Sequence, residues 1–218
     1  MIYSFLIPFH RLVVRQSRCL QMLWKMRLKK TTKKSDNELD IPMDYSIKHP
    51  LQNCWTLWYY ESDRSQSWEK NQKEIASFQT VEDFWSLYNH IKPASELRQG
   101  SDYSLFKKGI RPMWEDDANK KGGRWLLSLE RKQRNNELDR YWLDILVRLS
   151  EHSDELCGAV VNIRQKGDKI GIWTANADNR GAVMEIGGKL KRKTTTTSTH
   201  NVNIPGTQRH YGQNWFCL

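Results

Sequence analysis

The side chains with the most chemistry in them stand in Met113-Trp114-Glu115-Asp116-Asp117, followed shortly by Gly122-Gly123-Arg124-Trp125. The run sets a flat aromatic beside carboxylates, in a polar stretch between two strand-like segments. An indole face can stack on a base. A carboxylate, an acceptor-only group, suits the N–H edge of a guanine. Trp68, in Ser65-Gln66-Ser67-Trp68-Glu69, is a candidate stacking ring in a second polar loop. Trp68, Trp114 and Glu115 together can sandwich and read a purine. The competing reading folds both tryptophans back into the core, since aromatics dominate core burial.

A second constellation lies downstream. Leu156 to Ile163 and Ile170 to Trp173 read as strands joined by a turn containing Gln165-Lys166-Gly167-Asp168, and so as an antiparallel hairpin. Arg164 and Lys169 flank that turn and are expected to lie opposite each other. Alternation puts Lys169, Gly171 and Trp173 on one face and Ile170 and Ile172 on the other. A Lys, an Arg and an indole N–H can converge on an anion; two charges beside a turn can equally be solvated.

Further elements must hold these groups in place. Trp55 to Tyr60 reads as a buried strand, Ile75 and Phe78 as a weaker one, and Tyr103 to Phe106 and Arg124 to Leu129 as two more. Thr80-Val81-Glu82-Asp83 is a helix start with Thr80 as its cap. Phe84, Leu87, Tyr88 and Ile91 then recur at helical spacing, and Pro93 closes the helix. Trp85 sits at the edge of that stripe and is expected to be partly buried. A long helix over Gln133 to Leu149 carries the stripe Leu138, Tyr141, Trp142, Ile145, Leu146 and Leu149. Leu143 and Val147 fall well away from it, on the face expected to meet water. They are either scattered surface apolars or part of a partner patch. Asp178 is expected to cap a weaker third helix through Ile186, broken by Gly187-Gly188.

The chain has 218 residues and a formal charge of +10, but its ends carry that charge. Residues 1–35 hold nine Lys/Arg and no acid, and 187–218 hold five and no acid. Residues 36–186 then hold 21 Lys/Arg against all 25 Asp/Glu, a net of −4. A general polyanion binder gains affinity from many phosphate contacts, so nucleic acid is expected to bind here only through a small site. The cysteines, Cys19, Cys54, Cys157 and Cys217, form no CxxC pair and have no His at metal-ligand spacing, which points to free thiols and no metal. No run approaches the ~18 apolar residues of a membrane span. Residues 1–45 read as a basic disordered tail, with a mitochondrial presequence over the acid-free residues 1–35 as the weaker alternative. Residues 46–190 read as the folded domain, and 191–218, without sustained periodicity, as a disordered tail.

Long motifs in one order resemble the eukaryotic translation initiation factor 4E family. They are His49-Pro50-Leu51-Gln52-Asn53, Thr80-Val81-Glu82-Asp83-Phe84-Trp85, Tyr88-Asn89-His90-Ile91, Asp102-Tyr103-Ser104-Leu105-Phe106-Lys107, Pro112-Met113-Trp114-Glu115-Asp116, Gly122-Gly123-Arg124-Trp125-Leu126 and Cys157-Gly158-Ala159-Val160-Val161-Asn162. The resemblance implies an α+β fold: a curved antiparallel sheet with three helices on its convex face and the messenger-RNA cap in its concave front. It implies Trp68 and Trp114 as the rings around 7-methylguanine, with Glu115 on the base edge. It implies Arg164 and Lys169 as a triphosphate clamp, assisted by Arg124 and Trp173. His49, Pro50, Val81, Trp85, Leu143, Asp144 and Val147 match the family's surface for a helical motif shared by the scaffold factor 4G and the 4E-binding repressor proteins. Asp144 stands where the family usually has Glu, and Val147 where it usually has Leu.

Two departures go further. Ser150 to Glu155 is shorter than the family's usual connection, and its last strands are not found in 191–218, so the sheet is expected to lack an edge. The implied function is cap binding and recruitment of the scaffold to initiate translation, by a monomer located in the cytoplasm with some nuclear presence. A cap-binding repressor with weakened scaffold binding is the alternative. No metal motif, Gly-rich cofactor loop or activated nucleophile points to an enzyme, a cofactor or a membrane role.

Overall fold

The structure is a computed structural model that describes residues 48–63, 65–149, 154–194, 208–210 and 213–217. The tail expected over residues 1–45 lies outside them. The described residues belong to one unit, Ser46–Leu218. Six long strands come first in the chain: β1 (Pro50–Tyr60), β2 (Gln72–Thr80), β3 (Asp102–Lys107), β4 (Gly123–Leu129), β5 (Leu156–Asn162) and β6 (Asp168–Thr174). Two short ones follow, β7 (Gln208–His210) and β8 (Gln213–Cys217). The sheet order is β2-β1-β3-β5-β6-β4-β8-β7. All pairings are antiparallel except β4 with β8, which is parallel.

β7 and β8 correct the expectation that 191–218 holds no strand. β8 runs beside β4 from Gly123↔Asn214 to Leu126↔Cys217. Strands of three and five residues are too short to print a period-2 pattern. What defines β8 is the open edge of β4, a row of backbone donors and acceptors that a passing segment can pair with, and β7 pairs in turn with β8.

One-turn helix α1 spans Trp68–Asn71. Helices α2 (Val81–His90), α3 (Asp139–Arg148) and α4 (Arg180–Thr194) pack on one face of the curved sheet. Thr80 caps α2 as expected, its Oγ1 accepting from Asp83 N at 3.2 Å. The expected long helix is present in three parts: a 3-10 turn over Arg131–Gln133, a π-helical segment over Arg134–Leu138, and α3. Its stripe from Leu138 to Leu149 is buried as expected. Leu143 is not where the helical wheel put it. It is 6% exposed, although outside the main core cluster, while Val147 is half-buried. The wheel locates a residue around its own helix; it carries nothing about what else covers that side.

The third helix needs two corrections. Asn179, not Asp178, begins it: Asn179 O accepts from Val183 N, and its side-chain oxygen lies 3.4 Å from Ala182 N. The helix also runs through Gly187-Gly188 to Thr194. Gly187 is there for closeness, because a Cβ on it would sit 2.4 Å from the Trp125 ring. That ring is pinned beneath α4 by its Nε1–H, which donates to Val183 O at 2.9 Å.

The two helix glycines should therefore respond to alanine with opposite signs. Gly188 has open space around its missing Cβ, so Gly188→Ala should stabilise by about 0.4–1 kcal/mol. At Gly187 the same propensity gain meets an overlap costing about 1–3 kcal/mol, and Gly187→Ala should destabilise. Urea unfolding of the two variants checks both signs.

Candidate functional site

Alternation along the strands gives the sheet a second face. Leu105, Trp125, Ala159, Val161, Ile170 and Ile172 point into the helix-side core. Their neighbours Phe106, Val160 and Trp173 form a separate cluster with Cys157, joined by Ile110, Trp114, Ala118 and Ala175. The expected split of β6 holds: Ile170 and Ile172 go one way, Gly171 and Trp173 the other. Gly171 leaves room for Arg124, whose Cδ would lie 2.9 Å from a Cβ added there.

The loop between β3 and β4 reaches over this second face. Asn119 is fully buried and holds the loop's shape, its Nδ2 donating to Arg111 O at 2.9 Å and Met113 O at 2.8 Å. The Asp116 carboxylate accepts from Arg111 N and Ala118 N, each at 3.0 Å. Trp114 and Glu115 lie inside this bracket. The Trp114 ring rests on Trp173, with centroids 3.8 Å apart and planes 33° apart. Arg124, directly across the ladder from Trp173, brings its guanidinium carbon to 6.0 Å from the Trp114 ring centroid and 5.7 Å from that of Trp173. Burial pushes the Arg124 guanidinium down to about 10, against the opposing influence of Asp102. The Trp173 Nε1–H is buried with no hydrogen-bond partner among the described residues. Glu115 is exposed.

Trp68 is 45% exposed, and it opens α1 instead of lying in a loop. Its ring packs against Tyr60 at 6.1 Å, and no ring contact joins it to Trp114 among the described residues. The structure thus brings Trp114, Trp173 and Arg124 together, with Trp68 resting on a different aromatic. Arg164 and Lys169 are not opposite each other. Lys169 pairs with Asn162. β5 ends at Asn162 and β6 begins at Asp168, so Arg164 lies in the connection between them, while Ile163 continues beside the start of β3 through Ser101 O and Gly100 N. Lys169 is exposed, and Arg164 is forked onto Asp102, with Nη2 donating to Oδ2 at 3.0 Å.

On the helix side, His49, Pro50 and Val81 come together. Val81 N donates to His49 O at 2.9 Å, His49 Nδ1 lies 2.6 Å from Glu82 Oε1, and Pro50 pairs with Thr80. Trp85 follows one turn along α2, half-buried, with ring contacts to Phe84 and Tyr88. α2 is linked toward α3 through Tyr88, whose hydroxyl pKa is raised by burial and by Asp139. Asp144 is exposed on α3, one residue from the buried Leu143.

A model of one protein family, Eukaryotic initiation factor 4E, matches residues 50–213. The chain belongs to this family. It is 62% identical over 152 residues to Drosophila melanogaster eukaryotic translation initiation factor 4E1, covering 68% of this chain and 58% of that one. It is 54% identical over 164 residues to the human factor 4E, covering 73% and 75% of the two chains. Among solved structures it is similar to Ascaris suum eIF4E-3 in complex with the m7G cap, at 51% identity and a TM-score of 0.66, covering 67% of this chain and 84% of that one. It is also similar to Caenorhabditis elegans eIF4E-3 bound to the 4E-binding protein Mextli, at 49% identity and a TM-score of 0.66, covering 71% and 90%. The family match runs past α4 to the first residue of β8.

Asp102, Asn119, Arg134 and Asp168 support this site and carry no individual role in the sequence reading, and Asp116 enters that reading only as one of the carboxylates beside Trp114. Asp116 and Asn119 are of the types that bond nearby backbone in turns, which is a signal of sorts. Arg134 and Asp168 are 34 residues apart, and nothing local pairs them. Asn119→Ala should cost about 1–3 kcal/mol, because it strips two loop carbonyls of their buried donor. Because the loop then loosens over Trp173, tryptophan emission of the folded variant should also shift. Urea unfolding and native emission spectra measure both effects.

Proposed function

We propose that the chain binds the 7-methylguanosine cap of messenger RNA and recruits the translation-initiation scaffold, promoting initiation of protein synthesis. The observation that carries this reading is the cation already lying over the front-face aromatics, Arg124 above Trp114 and Trp173. Methylation at N7 leaves a positive charge on guanine. Aromatic faces attract a desolvated cation by about 2 kcal/mol or more, so a surface that accepts one planar cation suits another. In the complex, Trp114 exchanges its contact with Trp173 for the base, and Trp68 closes the other side. Glu115 accepts from the guanine N–H edge. Arg164 and Lys169 take the triphosphate, with Arg124 and the open Trp173 Nε1–H beside them.

The related Ascaris protein has been crystallised with m7G and m2,2,7G caps, and the C. elegans protein with Mextli, which supports both halves of the reading. The partner half falls to His49, Pro50, Val81, Trp85, Leu143, Asp144 and Val147, as the docking surface for a helical motif of factor 4G and of 4E-binding repressors. The short side chains of Asp144 and Val147 should weaken that docking without abolishing it. The protein acts by binding and carries out no reaction, and its place of work is the cytoplasm.

The test compares one RNA carrying a 7-methylguanosine cap with the same RNA carrying an unmethylated guanosine cap. A charge preference of about 2 kcal/mol predicts ~30-fold tighter binding of the methylated form. Glu115→Gln should weaken binding of the methylated form by about tenfold, through loss of a charged acceptor. Equal binding of the two RNAs would rule out the cap reading, and an unaffected Gln variant would remove Glu115 from the site.

A further inference from the structure

The turn carrying Arg164 and Lys169 is held from behind by a buried ion pair. Asp168 is fully buried, and the Arg134 side chain is 13% exposed. Arg134 Nε donates to Asp168 Oδ2 and Arg134 Nη2 to Asp168 Oδ1, each at 2.7 Å. The same Nη2 donates to Arg164 O at 2.7 Å, and Asp168 Oδ1 accepts from Arg164 N at 3.0 Å. Both backbone polar groups of Arg164 therefore end on this pair. Between them Gly167 adopts φ +148°, and a Cβ on it would sit 2.7 Å from Leu129 O. The turn is thus seated against the end of β4. Arg134 reaches it from the first residue of the π-helical segment before α3.

We infer that Arg134 and Asp168 are positioning residues for phosphate recognition: their ion pair fixes the backbone from which Arg164 and Lys169 reach the ligand's phosphates. This deepens the cap reading and rests on it. A buried pair of charges is a poor way to gain stability alone, because desolvation offsets most of the attraction and well-packed apolar residues often do as well. What this pair supplies is direction. Its planar fork bonds a carboxylate and a specific carbonyl at once, which an ammonium cannot reproduce. Asp102 then orients the Arg164 side chain that this backbone presents.

The test is calorimetric titration of the full-length chain, Arg134→Lys and Asp168→Asn with 7-methyl-GTP, 7-methylguanosine and GTP. A phosphate-positioning role predicts that each variant loses about tenfold in affinity for 7-methyl-GTP, for want of one charge-assisted bond. Affinity for 7-methylguanosine, which has no phosphate to place, should stay within about twofold, as expected when one interaction is removed and the base site is untouched. Thermal melting identifies any variant that fails to fold, and the other variant then decides. An unchanged 7-methyl-GTP affinity, or the same fold-loss for nucleotide and nucleoside, would overturn the positioning role. If the unaltered chain does not prefer 7-methyl-GTP to GTP, the cap reading itself fails at the first titration, before any variant is considered.

Discussion

Adjacent residues on a strand must point to opposite faces, and in this sheet that constraint separates the helix-side core from the face proposed for recognition. Trp125 and Ile172 go to the helices, and Arg124 and Trp173, their immediate neighbours, go to the other side. One register error between β4 and β6 would exchange the two sets, burying an arginine under α4 and exposing a core tryptophan. The helix-side core therefore does more than stabilise. By fixing which way Trp125 faces, through its ring under Gly187 and its bond to Val183 O, it fixes where Arg124 points.

The front face is then completed by groups that packing alone would not specify. The Trp114 loop has little apolar content and is shaped from within by Asn119 and Asp116, which satisfy backbone groups of the loop. The turn after β5 is shaped by Arg134 and Asp168. Asp102 holds the Arg164 guanidinium. These polar contacts, most of them partly buried, lie on both sides of the proposed recognition residues. In the present arrangement the aromatic surface is occupied by its own components: Trp114 covers Trp173, and Trp68 lies against Tyr60. A planar ligand competes with these contacts.

Much of the fold was legible because it depends on period. The α2 cap, the α3 stripe and the two faces of β6 follow from spacing, and the sequence motifs led to the family. What was not legible depends on partners distant in sequence. Gly187 looked like a helix terminator because its reason, the Trp125 ring, lies 62 positions earlier. Leu143 looked solvent-facing because a helical wheel has no neighbours. Arg164 and Lys169 were set opposite each other because both flank the turn, but flanking a turn is not pairing across it: the register puts Asn162 opposite Lys169 and leaves Arg164 in the connection. β7 and β8 are too short to signal themselves, and β8 pairs in parallel with a strand about 90 residues away. Of the proposed recognition groups, the residue types were readable and the mutual contacts were not.

The most direct test of the central claim, that the front-face aromatics read the charge of a methylated base, is the intrinsic tryptophan fluorescence of the full-length chain. It is titrated in parallel with 7-methyl-GTP and GTP. Stacking of Trp68 and Trp114 on the cationic base predicts strong saturable quenching by 7-methyl-GTP at concentrations where GTP has little effect. Equal responses to the two nucleotides, or none to either, would contradict the account.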